Sequence, residues 1–433
     1  MLTIKRKVLD YECPALGRQV THYALIAHLP KKKLLLSHPN LFLYDMTRSS
    51  VKTSSRYSSI ISMFYKFLST EEKFKDLDPS QYHALADNKD LKRWQIARQI
   101  ARVAKQSLKP TSETIYEDLK ILLIYFHWLN RKGYQTNVNV ETKTSIANFN
   151  RNSLLGYVQA KARVSINAKG VRALDRVARQ RQRRSLISAS EIKTYLQAFT
   201  DPVYPAMFKL ALGTAMRPMD LCTVPYLGNG ANAHIMPYSE MDREPTLFDF
   251  TVYASKGNKT RTIKVHRDDL RELDQHYIQP YYDERRKKYK QRFGKECPLD
   301  ILFLNQQGIP VTSEKIASRG NAAKVKAMTL DKKFRGSLNF YESRHWWPTM
   351  FLISYFKNDL LTSSADVLWA ACGEALIKQM GHEDISTTFA HYIDMARVVM
   401  MANKGRMTEL ITQAHDSVHS FIDKVTTGEL VLS

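Results

Sequence analysis

Regular apolar spacing constrains this chain more than any other feature of its sequence. From Ser50 to about Val140 the apolar residues recur at helical intervals, and between Leu247 and His266 the period changes from about 3.6 to 2 residues. The clearest helix runs from Thr111 to Lys132, with Ile115, Leu119, Leu122, Phe126 and Leu129 on one face. Thr114 and Glu117 have capping-box spacing there, and Arg131-Lys132-Gly133 supplies a cationic, left-handed-capable end. Ser188-Ala-Ser-Glu191 opens a second amphipathic helix carrying Ile192, Tyr195, Leu196 and Phe199, and Phe208 to Leu212 reads as a buried helix stopping at Gly213. Phe248, Phe250 and Val252 alternate along one strand and Ile263 and Val265 along its return, with Ser255-Lys256-Gly257-Asn258-Lys259 as the turn region. Only 16 glycines in 433 residues agree with helix over a turn-rich β fold. The expected fold class is mainly α with a small antiparallel β-sheet.

Charge narrows the function. There are 65 Lys and Arg against 42 Asp and Glu, a formal net charge of +23 on a chain that is 44% apolar. Such a chain folds, and its basicity points to a polyanion, nucleic acid before a membrane surface. The greasiest stretch, Ile121 to Leu129, is half the length a bilayer helix needs, and no apolar run follows the charged N-terminus. Cys13, Cys222, Cys297 and Cys372 are far apart and form no Cys-x-x-Cys pair, which reads as reduced thiols rather than disulfides or a zinc site. No phosphate-binding glycine loop is present, so ATP-driven work is not indicated. The expectation is a cytoplasmic protein with no metal, no cofactor and no membrane partner.

Along the chain, residues 1–48 form an N-terminal extension with no assigned role, 49–160 a helical domain, 161–187 a basic linker, 188–394 a second domain and 395–433 a tail. Between Lys92 and Lys109, Ile96, Ile100 and Val103 share one helical face while Arg98, Arg102, Lys105 and Lys109 share another. The basic face is expected to be solvated, and a candidate for lying along DNA phosphates. In the linker, Lys161, Arg163, Lys169, Arg172, Arg176, Arg179, Arg181, Arg183 and Arg184 face a single acid, Asp175. Such a run suits displacing counterions along a duplex, with an ordinary solvated linker as the alternative.

Four places in the second domain put reactive or phosphate-binding side chains at element ends. They are Arg217-Pro-Met-Asp220, Lys256 on the hairpin, Tyr341-Glu-Ser-Arg344-His345, and Gly381-His382-Glu-Asp-Ile-Ser-Thr-Thr-Phe-Ala-His391-Tyr392. Each alone is weak. In this order they resemble the tyrosine recombinase (phage integrase) family, whose hairpin reads much like Ala-Ser-Lys256-Gly-Asn-Lys-Thr-Arg and whose Gly-His segment is nearly matched by Gly381 to Thr388. The resemblance covers about Ser188 to Tyr392 well and residues 50–140 more loosely.

The resemblance implies a two-domain DNA clamp, a helical core-binding (SAM-like) domain joined to an α+β catalytic domain. It implies a bacterial, nucleoid-associated site-specific recombinase (integrase) that cuts and rejoins duplex DNA through a 3′-phosphotyrosine for integration or excision of a mobile element, assembled as a tetramer on recombination sites with possible accessory bending or directionality factors. Tyr392 would be the nucleophile, Arg217 and Arg344 the phosphate clamp, Lys256 the general acid, and His382 a hydrogen-bond donor or proton carrier. Lys259 and Arg261 on the hairpin would contact DNA, and the tail after Tyr392 would meet a neighbouring protomer or its own domain. Tyr341 stands where the family usually has His, which leaves His345 and His382 as the imidazoles near the motif. The chemistry suits these residue types in its own right: a long-reaching phenol can form a covalent phosphate ester, and paired guanidiniums can hold two phosphoryl oxygens as charge develops. A topoisomerase IB-like or hairpin-forming resolvase, or a non-catalytic DNA-binding regulator on the same fold, are the alternatives.

Overall fold

The computed structural model describes residues 2–13, 17–30, 32–145, 163–175, 186–242, 244–257, 259–357, 359–363, 365–381 and 385–402. It divides into two compact units, Met1–Gln182 and Arg183–Ser433. The fold is mainly α with small antiparallel sheets, three of them among the described residues where one was expected.

In the first unit, β1 (Thr3–Cys13) and β2 (Arg18–His28) form an antiparallel hairpin, and β3 (Lys33–Leu35) pairs on the other side of β2. Helices α1 (Ser37–Thr47), α2 (Val51–Leu68), α3 (Tyr82–Leu85), α4 (Asn88–Ala104) and α5 (Ser112–Arg131) follow, then β4 (Thr142–Ser145) paired with β5 (Arg163–Ile166). Residues 1–48 are therefore not an appendage. Leu2, Ile4, Leu25 and Leu36 join Phe42, Phe64, Leu119, Leu122 and Phe126 in one core. β1 left no alternating signal because only Ile4 and Cys13 of that strand are buried.

Three local expectations change here. The cap of α5 is Thr111, whose Oγ1 accepts the Thr114 N–H at 3.2 Å, so Thr114 is the capped residue rather than the cap. On α4 the polarity is reversed. Arg98 donates to Asp118 at 2.8 Å, Arg102 donates to Asp175 at 2.9 Å and to the Pro110 carbonyl at 3.2 Å, and Ile96, Ile100 and Val103 are 44%, 63% and 60% exposed. The acids that draw the guanidiniums inward come from distant segments, and a buried charge is tolerated only with such a partner. Lys105 and Lys109 lie past the end of α4, exposed. Finally, the front half of the basic linker is folded. Ala168 and Val171 enter the core, and Gln95 donates to the Val171 carbonyl at 2.9 Å and accepts the Ala173 N–H at 3.1 Å. Arg172 lies over the Tyr116 ring. Arg176, Arg179, Arg181, Arg183 and Arg184 fall outside the described residues, as does Lys161.

The second unit opens with α6 (Ala189–Ala198), capped reciprocally by Ser188 and Glu191 as its sequence predicts. α7 (Val203–Thr214) passes through Gly213 and ends at Ala215, left-handed at φ 55°. Gly213 is needed for space rather than for stopping the helix, because a Cβ there would run into the Asp269 carboxylate. Next come α8 (Pro218–Leu221) and the hairpin β6 (Leu247–Ser255) and β7 (Lys259–His266), in which Phe248 opposes Val265 and Phe250 opposes Ile263. α9 (Arg267–Leu273) leads through a wider-turned helical stretch, Asp274–Tyr282, into α10 (Asp283–Phe293). Then follow in this unit α11 (Ser313–Leu330), α12 (Ser343–Phe356), α13 (Asp359–Thr362), α14 (Ala365–Met380) and α15 (Ile385–Ala402). Tyr195, Phe208, Phe250, Ile263, Tyr277 and Phe340 anchor its core. No helix among the described residues is long and apolar enough to cross a membrane.

Candidate active site

The site forms where two helices end. The last carbonyls of a helix lack intrahelical partners and carry the negative end of its dipole, so they attract cations. The carbonyls of Ala215, capping α7, and Met380, ending α14, both accept from the Arg344 guanidinium, which the first turn of α12 places in the interior. Gly381, left-handed at φ 59°, turns the chain after α14 and offers its carbonyl to Arg217 Nη2 at 3.0 Å. Arg217 stands just before Pro218, the first residue of α8, and is half-buried. Burial first, and then the neighbouring guanidiniums, pull the pKa of both arginines below the ordinary value, while Asp220 for Arg217, and Tyr341 and Tyr392 for both, act in the opposite direction.

The hairpin reaches this point through an irregularity. The β6/β7 register shifts between Val252 and Ser255, and Ala254 adopts a left-handed φ of 49°. Such a bulge re-aims the following side chain. Ser255 thereby turns inward, its Oγ accepting from Arg217 Nη1 at 3.1 Å, while Lys256 immediately after it is exposed. Arg261, grouped with DNA-contacting residues on sequence, is instead drawn inside by Asp220, whose Oδ2 lies 2.8 Å from its Nη2. Lys259, the other residue of that group, is exposed.

Tyr392 lies on α15, packed against α12. Its hydroxyl is 3.1 Å from His345 Nδ1, and its ring centroid is 5.7 Å from the imidazole. Tyr341 meets the same imidazole edge-on, with ring centroids 5.7 Å apart, and is exposed. Tyr392 itself is 2% exposed. The structure thus gathers Arg217, Arg344, His345 and Tyr392, with Tyr341 at the margin. His382 lies outside the described residues. After Tyr392 the same helix continues to Ala402, with Met395 and Met400 buried in this unit, so no boundary falls at residue 394.

Sequence reasoning missed two contributors. Ser255 looks like a turn residue in sequence, and nothing in the sequence distinguishes Gln379. Its amide pairs with Lys264 N–H and C=O, both at 2.9 Å, and donates to the Thr214 carbonyl at 3.0 Å, tying α14 to β7 and α7. Among the described residues no cluster of His, Cys, Asp and Glu is arranged to hold a metal ion.

No family model and no curated protein sequence matches the chain. Among solved structures it is similar to a XerH site-specific recombinase bound to palindromic difH substrate, at 13% identity and TM-score 0.47 over 85% of this chain and 84% of that one. It is similar also to a lambda integrase dimer bound to a COC′ core site, at 16% identity and TM-score 0.43 over 83% and 95% of the two chains. A third is the Tn1549 transposon integrase in complex with circular intermediate DNA, at 16% identity and TM-score 0.47 over 84% and 98%.

Proposed function

We propose that this protein is a site-specific DNA recombinase of the tyrosine type, cutting and rejoining duplex DNA through a phosphotyrosine. The observation that carries the reading is the Tyr392 hydroxyl, hydrogen-bonded to His345 within electrostatic reach of both Arg217 and Arg344. A phenol beside a base and two guanidiniums is suited to in-line attack on a phosphodiester. Tyr392 Oη forms the bond to phosphorus, its proton passes to His345 Nδ1, and the bond to the 5′ oxygen breaks. Arg217 and Arg344 carry the charge that builds on the equatorial oxygens. Lys256, free at the hairpin surface, gives its proton to the departing 5′ oxygen. Reversal of these steps with a different 5′ hydroxyl completes strand exchange.

His345 takes the base role because its contact with the phenol is direct, whereas Tyr341 sits where the family pattern usually places His. The near-complete burial of Tyr392 means that α15 must open from α12, or its ring must turn, before the hydroxyl meets DNA. Double-stranded DNA bearing a recombination site is the substrate, and assembly on paired sites places several such centres together. The test is a covalent DNA adduct mapped by peptide mass to Tyr392, formed on a nicked duplex whose sequence is recovered by binding selection with the full-length chain.

A further inference from the structure

Three side chains around Arg217 form a closed hydrogen-bonded circuit. Ser255 Oγ donates to Asp220 Oδ1 at 2.9 Å and accepts from Arg217 Nη1 at 3.1 Å and Arg261 Nη1 at 2.7 Å. A hydroxyl has one proton and two lone pairs, so this one is saturated. Asp220, 1% exposed, gives its Oδ2 to Arg261 Nη2 at 2.8 Å, whereas Arg217 Nη1 stands 3.8 Å from that oxygen. The arm of Arg261 also crosses Gly381 so closely that a Cβ there would lie 2.7 Å from its Cδ. Gly381 is the residue whose carbonyl holds Arg217 Nη2. Arg261 therefore bonds Ser255 and Asp220 and passes close to Gly381, the residues that surround the Arg217 guanidinium.

A carboxylate beside a phosphate-binding arginine presents a conflict. It fixes the guanidinium, but it also competes with the phosphate for the same N–H donors and offsets their positive field. Here the strong ion pair goes to Arg261, and the Arg217 guanidinium rests on the Ser255 hydroxyl and the Gly381 carbonyl. We propose that Arg261 is a positioning residue that occupies Asp220, so that Asp220 orients Arg217 through Ser255 without forming a close ion pair with it, and the N–H donors of Arg217 and Arg344 are left for a phosphodiester. This rests on the recombinase reading given above. Two nitrogens of one planar fork reach Ser255 and Asp220 together, a geometry a lysine cannot reproduce.

The experiment compares full-length wild type with Arg261→Met, Arg261→Lys and the double variant Arg261→Met/Asp220→Asn, each first shown to be folded by circular dichroism at the assay temperature. Single-turnover cleavage of a nicked duplex is expected to slow about 100-fold in Arg261→Met and less in Arg261→Lys, with gel-shift affinity little changed. Removing the carboxylate as well should restore about tenfold of the lost rate, because the freed Asp220 is what captures Arg217. Cleavage near wild type in folded Arg261→Met, or a double variant no faster than the single, overturns the proposal. A second readout separates this from the parent reading. Inorganic phosphate, followed by phosphorus NMR line broadening, should bind wild type and the double variant more tightly than Arg261→Met. If wild type forms no adduct the recombinase reading falls, and equal phosphate binding by wild type and Arg261→Met overturns the role of Arg261.

Discussion

His345 Nδ1 lies 3.1 Å from the hydroxyl of Tyr392, joining the first turn of α12 to the middle of α15. A base in contact with the attacking oxygen contributes typically about 100-fold or more. His345→Ala should slow single-turnover cleavage by about that factor while leaving DNA binding in place. A single-turnover time course on a nicked duplex, beside a gel shift, reads both quantities.

Arg217→Ala and Arg344→Ala should each abolish cleavage and retain DNA binding, yet differ in stability. Arg344 is buried and satisfies carbonyls at two helix ends, so its loss strands polar groups in the interior at a cost of about 1–3 kcal/mol each. Arg217 is half-buried and shares its anchors with Arg261. Urea unfolding should therefore show Arg344→Ala as the more destabilised of the two.

The buried Arg102–Asp175 pair belongs to the stability of the first unit. Arg102→Ala leaves the Asp175 carboxylate without that partner and should destabilise by about 3–5 kcal/mol. It should leave the salt dependence of DNA binding unchanged. Neutralising Arg179, Arg181, Arg183 and Arg184 together should instead weaken binding to every sequence and flatten that salt dependence, because each released phosphate contact removes about one unit of slope.

Acid sensitivity should arise partly at His83. Its ring lies 4.0 Å from that of His38, and burial, followed by that second imidazole, lowers its pKa from 6.5 to about 4. The unfolded chain then binds a proton more readily than the folded one between those values. Stability from this group is complete above about 6.5 and is lost as pH falls towards 4. His83→Phe should make the urea midpoint less dependent on pH across that window.

The sequence made the β6/β7 hairpin legible because its buried face is regular: Phe248, Phe250, Val252, Ile263 and Val265 alternate and pair as their period requires. It made the motif residues legible because Arg217 and Arg344 stand at the starts of helices and, with Tyr392, keep a familiar order. What escaped it depends on partners far along the chain. Arg98 and Arg102 look like a solvated stripe until Asp118 and Asp175 are brought beside them. The Ser255 bulge breaks the two-residue period at the one place where a side chain must turn inward, and periodicity cannot foresee its own interruption. Arg261 is one cation among many in sequence, and only the buried Asp220 distinguishes it.

Tyr392 as the nucleophile is the central claim, and trapping it on DNA is the most direct measurement. On a duplex nicked beside the scissile phosphate, the full-length protein should give a covalent adduct whose DNA-bearing peptide contains Tyr392, and Tyr392→Phe should give none while still binding. An adduct that persists in Tyr392→Phe, or that maps to another residue, would contradict the account.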